Sequence, residues 1–203
     1  MVSPPPPHDR TSPRFVEEHG DRLAAVRAEI AARRLPPVES FSPAHCGEID
    51  IRIARDGRWY YRGSVIDRPE LVRLFASVLR REGTDHFLVT PVEKLRITVD
   101  DCPYLAVELE RVGAGEAQTL VLRLQTDERL IVDRDHAIEV GADERTAAPA
   151  PSVHVRDGLV ARIARPVFYE LVDLAVPAVG DAGLLGVWSA GTFFPLGRME
   201  EGD

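Results

Sequence analysis

Apolar and polar positions along the chain repeat with two periods, one strand-like and one helical. Ile49, Ile51 and Ile53 alternate with Asp50, Arg52 and Ala54, the pattern of a half-buried strand. Asp56-Gly57 follows as a hairpin turn, glycine accepting the positive φ that type I′ geometry demands. Residues 58–61 return as the partner strand, and Gly63 permits a second turn before Val65-Ile66. Leu71, Leu74, Phe75, Val78 and Leu79 share one helical face. Asp67-Arg68-Pro69-Glu70 reads as a capping box at the start of that helix and Gly83 as its C-terminal glycine. Strands are predicted at 87–90 and 95–99, divided by Pro91, and the turn Asp100-Asp101-Cys102-Pro103 closes this first module.

Beyond it the pattern predicts strands at 104–110, 118–124, 129–132 and 137–140, with GAGEAQ as a hairpin loop. The composition of 141–151 is that of a flexible connection. Arg156-Asp157-Gly158 then makes a second hairpin, Pro166 opens a helix carrying Phe168, Leu171, Val172 and Ala175, and 184–188 pairs with 192–196. The chain thus states one unit twice, at 49–79 and 153–175: alternating strand, Arg-Asp-Gly, strand, then Arg-Pro and a helix. The expected fold class is α+β, two small domains with a duplicated strand-turn-strand-helix motif and mainly antiparallel sheets. The expected division is 1–40, a Pro-rich leader and N-terminal helix; 41–99, an α+β domain; and 100–203, a β-rich domain with one helix. The leader helix starts at Ser12-Pro13, runs towards Arg34 and carries a thin apolar stripe of Val16, Leu23, Val26 and Ile30. Leu35-Pro36-Pro37 stops it, and so narrow a stripe reads as a clasp on the body.

A chain of 203 residues with 44% hydrophobic and 29% charged side chains can bury a core as an ordinary globular protein. No apolar stretch approaches membrane-spanning length and the first residues lack a signal-peptide pattern, so the expectation is cytoplasmic, with no membrane partner. Cys46 and Cys102 stand far apart, in no redox or metal spacing. The net charge of −8 falls almost wholly on 101–203, so a polyanion would have to meet the first half.

P-loop, dinucleotide, nucleophile-elbow, HExxH and paired CxxC signatures are missing, so no catalytic residue and no cofactor is assigned. Asp133, Asp135 and His136 could ligate a metal, but a solvated turn is the favoured reading because a site needs further ligands. His45-Cys46 could pair an imidazole with a thiolate, though no orienting acid accompanies it. Arg68, Arg73, Arg80 and Arg81, with Trp59, Tyr60 and Tyr61, could hold an anion; a solvated helix face and core aromatics explain them more simply. Thr90-Pro91-Val92-Glu93-Lys94 is a polar interruption between two apolar strands.

From LPPVESFSPAHCGEIDIRIARDGRWYYRGSVIDRPELVRLFASVLRREG through FLVTPVEKLRITVDDCPYLAV and VHVRDGLVARIARPVFYELVDLA to VWSAGTFFPLG, the chain resembles the bacterial domain-of-unknown-function 1285 family over roughly 35–197. The resemblance implies two domains with a duplicated core, the second superficially like a pleckstrin-homology fold. It also implies an association with signalling, no known chemistry, and a binding surface where the domains meet. Asp56, Gly57, Trp59, Arg68, Thr90, Pro91, Glu93, Lys94 and Arg96 are the motif positions expected around it. The leading expectation is a non-catalytic binding or regulatory protein that takes a protein or small molecule at the inter-domain surface, through Trp59, Arg68, Arg80, Thr90, Glu93, Lys94 and Arg96. The alternatives are nucleic-acid binding through the arginines of the first domain and a metal-assisted enzyme.

Overall fold

A computed structural model describes residues 13–143 and 146–199, with side chains of the first helix described from Asp21 onward. Helix α1 (Pro13–Ala32) leads into a first sheet made of β1 (His45–Ile53), β2 (Trp59–Tyr61), β3 (Ser64–Val65), β4 (Leu79–Glu82), β5 (Asp85–Val89) and β6 (Glu93–Val99). Helix α2 (Pro69–Ser77) is inserted between β3 and β4. The spatial order is β3-β2-β1-β6-β5-β4: two antiparallel meanders joined by a parallel pair, β1 against β6.

The second sheet holds β7 (Tyr104–Val112), β8 (Thr119–Leu124), β9 (Arg129–Ile131), β10 (Ile138–Ala142), β11 (Pro149–Arg156) and β12 (Leu159–Ile163). Its order is β10-β11-β12-β7-β8-β9, again with the first and last strands parallel at the centre. Counted within its own sheet, each domain therefore has the same strand order. Helix α3 (Arg165–Asp173) and a three-stranded sheet of β13 (Val176–Ala178), β14 (Asp181–Ser189) and β15 (Thr192–Arg198) complete an α+β protein of two domains. The Arg-Asp-Gly hairpins occupy different places in that shared order: strands one and two of the first sheet, but five and six of the second. The duplicated sheet and the repeated sequence motif are out of step.

The inner faces of both sheets form one continuous core. Ile51, Ile53, Trp59, Leu88 and Ile97 of the first join Leu120, Leu122, Leu124, Val153 and Leu159 of the second, and the same core takes in Ala76 of α2 and Leu171 of α3. Helices α1 and α3 take opposite faces of the second sheet. Glu110 of β7 pairs with Arg22 of α1, whereas Arg111, the next residue, lines the groove at the end of α3.

Several local expectations are corrected. Helix α2 ends at Ser77, and Leu79 already pairs with Leu88 in β4. The sheet ladder overrides the helical spacing of Val78 and Leu79, so Gly83 (φ 61) turns the β4–β5 hairpin and Arg80 and Arg81 are strand residues. No capping box forms: Arg68 occupies the extended N-cap position without a side-chain cap, and Pro69 needs none for its absent N–H. The supposed connection at 141–151 is β-ladder at both ends, Gly141 and Ala142 pairing with Ala150 and Pro149 in a run that continues to Ile138↔Val153, and Ala150 and Pro151 are buried. The leader before residue 13 and the tail from 200 lie outside the described residues.

Candidate functional site

The two Arg-Asp-Gly turns dock each domain on the other. The first is a three-residue loop rather than type I′: the Ala54 amide donates to the Arg58 carbonyl at 2.9 Å, and Gly57 (φ 81) alone is left-handed. A Cβ at Gly57 would lie 3.2 Å from Cβ of Leu105 in the second domain. The second turn is the type I′ form, with Asp157 (φ 47) and Gly158 (φ 75) both left-handed. Its Gly158 carbonyl accepts a hydrogen bond at 2.9 Å from Nη1 of Arg81, a first-domain residue. Arg73 pairs with Asp127 at 3.1 Å and Arg55 with Asp143, adding two more ties across the junction.

Arg156 is the hub of that junction. Its Nη1 donates to both oxygens of Glu128, at 2.8 and 3.0 Å. Its Nη2 donates to the Tyr104 hydroxyl at 2.5 Å and to the Ala76 carbonyl at 3.1 Å. The Tyr104 hydroxyl donates to the same carbonyl at 2.8 Å, so two second-domain groups converge on a carbonyl of the last turn of α2. Burial raises the Tyr104 phenol far above its ordinary pKa, against the opposing pull of Arg156. Glu128 is only 7% exposed, and a carboxylate so buried requires the guanidinium beside it.

Beside this hub a cleft of about 520 Å³ opens between the C-terminal half of α1 and the second sheet. Ile30, Leu35, Leu130 and Val155 give it apolar walls, while Arg33, Glu128, His136 and Arg156 supply polar groups. Arg33 stands 3.6 Å from Glu128, beyond hydrogen-bond reach, and keeps donors to spare. His136 engages Asp133 through Nδ1 at 3.2 Å, and its other ring nitrogen makes no hydrogen bond among the described residues. Apolar walls with a few converging polar groups suit binding.

The seven expected binding residues fall elsewhere, and no hydrogen bond or ion pair among the described residues joins any of them to the second domain. Trp59 is 1% exposed and stacks on Phe75 in the core, centroids 6.1 Å apart. Arg68 is an exposed helix-start residue. Arg80 is buried, donating to the Val38 and Phe41 carbonyls at 3.2 and 2.8 Å and pairing with Glu82. Lys94 meets Glu82 at 2.9 Å and lies over Phe87, and Arg96 reaches Glu48 and Asp85. Register aligns Arg80, Phe87, Arg96 and Glu48 in one cross-strand row of the first sheet, covered at its Arg80 end by residues 38–41 and open at Arg96 and Glu48. Thr90 accepts hydrogen bonds from the Val92 and Glu93 amides within the β5–β6 turn. Glu93 lies beside His45 across the parallel pair. Of the wider motif, Gly57 does reach the junction.

The remaining candidates are engaged structurally. Arg73 and Arg81 serve the junction, so the arginine set does not form a free helical face. Asp133 Oδ1 accepts the Asp135 and His136 amides in a tight turn, and the described residues contain no group of three His, Cys, Asp or Glu side chains able to hold a metal. Cys46 is exposed; the Cys102 thiol, buried beside Asp101, is raised to about 11, which leaves it protonated. Sequence reasoning missed Glu128, Arg156, Tyr104 and Arg33. The second Arg-Asp-Gly contained one of them as its arginine, but nothing local marked Glu128 as its partner.

The comparisons agree with this architecture domain by domain. One family model, the N-terminal domain of a domain of unknown function (DUF1285), matches residues 36–102, and a second, the C-terminal domain of a protein of unknown function (DUF1285), matches 103–196. A crystal structure of a DUF1285 family protein from Silicibacter pomeroyi DSS-3 is 45% identical, with a TM-score of 0.77, covering 88% of this chain and 96% of its own. The chain belongs to the DUF1285 family. A second DUF1285 family protein, from Shewanella baltica OS155, is 26% identical over 61% of this chain and 90% of its own, with a TM-score of 0.49. No curated protein matches. Among the described residues of this DUF1285 member, no helix is long and apolar enough to cross a membrane.

Proposed function

We propose that this DUF1285 protein is a non-catalytic binding or regulatory module, acting in the cytoplasm, whose recognition site is the cleft beneath α1. The observation that supports it is the sharing of Glu128 and Arg156 between the cleft and the domain junction. A ligand that engages Arg33 acts one contact away from the carboxylate on which the inter-domain hub rests. Occupancy is thereby linked to how firmly α2 is held, which is the coupling a regulatory module needs.

Ala32 is exposed and lines the cleft, so Ala32→Trp fills it without disturbing the core. A thermal-shift screen of small-molecule fragments should yield compounds that stabilise the wild type and lose their effect in Ala32→Trp, while keeping it in Arg96→Ala on the open sheet face. Compounds indifferent to Ala32→Trp and sensitive to Arg96→Ala would move the site to that face and defeat the proposal.

A further inference from the structure

The second sheet presents an acid, a base and an acid, Glu110, Arg129 and Glu128, to α1. Arg22 meets Glu110 at 2.5 Å, Glu29 meets Arg129 at 3.0 Å, and Arg33 approaches Glu128 at 3.6 Å. Arg22, buried Val26 and Glu29 are spaced by four and three residues on one face of α1, and Arg33, four residues further and just past its end, continues that line. The sheet reads a helix as cation, apolar, acid, cation.

The helix fits this seat poorly. Among its described residues only Val26 is fully buried, at 3% exposure. A cavity of about 520 Å³ remains beside its C-terminal half, whereas a well-matched interface packs to the density of a protein interior. The connection to the body is also minimal: Leu35-Pro36-Pro37, with Pro37 (φ −76, ψ 64) at the centre of a γ-turn closed by the Val38 amide on the Pro36 carbonyl at 2.8 Å.

We propose that the surface beneath α1 is a docking site for an amphipathic helix of a partner protein, and that α1 holds it in cis as a stand-in. The partner helix carries a cation, an apolar residue, an acid and a cation at i, i+4, i+7 and i+11, with side chains larger than those of α1 where it faces the 520 Å³ cleft. This rests on the cleft being the recognition site and names the class of partner. Removing α1 takes Arg33 away from Glu128, and an incoming helix restores that cation, so exchange is felt at the Arg156 hub.

The test uses the full-length chain and a fluorescein-labelled peptide of residues 13–34, read by fluorescence anisotropy. Val26→Asp releases the tethered helix; since a short tether acts as a competitor at millimolar effective concentration, the released chain should bind the peptide at least about tenfold more tightly than the wild type. Arg129→Glu in that background should abolish binding, and a peptide bearing Glu29→Arg should restore it. A folded Val26→Asp chain that does not bind, or binds regardless of Arg129→Glu, overturns the proposal. Should Val26→Asp not fold, the double variant Arg22→Glu/Glu29→Arg serves the same purpose on the surface. A wild-type dimer dissolved by the peptide, seen by light scattering, makes a second copy the occupant and overturns the assignment to a foreign helix. Failure of the peptide with the Ala32→Trp-sensitive fragment shifts intact removes the helix proposal alone; failure of both removes the cleft reading as well.

Discussion

Glycine and arginine carry the junction by different physics. Gly57 supplies a left-handed backbone and the space in which Leu105 packs; Gly63 (φ 76) supplies the backbone alone, with nothing within 4 Å of a Cβ. Both alanine variants should therefore lose about 1 kcal/mol for the left-handed residue. Gly57→Ala should lose a further amount through displaced Leu105, measured as the difference between their denaturation midpoints. Equal losses would mean that the domains are not in contact there. Glu128→Gln leaves Arg156 without its counter-charge in a largely buried setting, where removal of one partner costs about 3 kcal/mol. Arg123, whose side chain is 39% exposed in its pairs with Glu108 and Asp127, should lose under about 1 kcal/mol on truncation to alanine. Urea denaturation of the two variants checks the contrast.

At the scale of elements, acid should loosen the β4–β5 hairpin first. His86 pairs across that hairpin with Arg81, whose guanidinium docks on Gly158, and its pKa is lowered chiefly by burial and then by Arg81. Because the folded value lies below the unfolded one near 6.5, protonation favours the unfolded state. Stability is whole above about pH 6.5 and declines as pH falls through the folded value. Asp101, held below the ordinary carboxyl range mainly by its hydrogen bond from Arg162, works in the same direction lower down: its contribution is present above about pH 4 and lost below. Melting temperatures from pH 7.5 to 3 should show both limbs, His86→Gln flattening the upper and Asp101→Asn the lower. An upper limb unchanged in His86→Gln would contradict the first assignment.

Elements were also where the sequence spoke most clearly, and where it misled for identifiable reasons. Alternation located β1, β6 and the hairpins, and proline at the first turn located α2 and α3, because these signals are local. Helical spacing at Val78 and Leu79 was real, but a ladder to Leu88 outweighed it, and that pairing is invisible without β5 in place. The Ala- and Pro-rich stretch at 147–151 resembled a linker because composition does not report burial, yet Ala150 and Pro151 lie inside. The candidate site suffered most. Trp59, Arg80 and Lys94 are the residue types of binding surfaces, but one is core, one is a buried staple and one is paired with Glu82. Glu128 and Arg156, 28 residues apart, could be joined only by the fold.

For the whole molecule, a shared core and a reciprocal pair of turns leave the two sheets little freedom to move as separate bodies, and the proposed recognition site is the boundary between that body and its N-terminal helix. Backbone amide NMR of the 22.5 kDa chain, titrated with a compound from the fragment screen, separates the two candidate faces directly. A cleft site predicts shifts at 29–35, 127–136 and 155–156 that continue across the junction to Ala76 and Val78. Shifts confined to Arg80–Glu82 and Thr90–Arg96, with Glu128 and Arg156 silent, would contradict it.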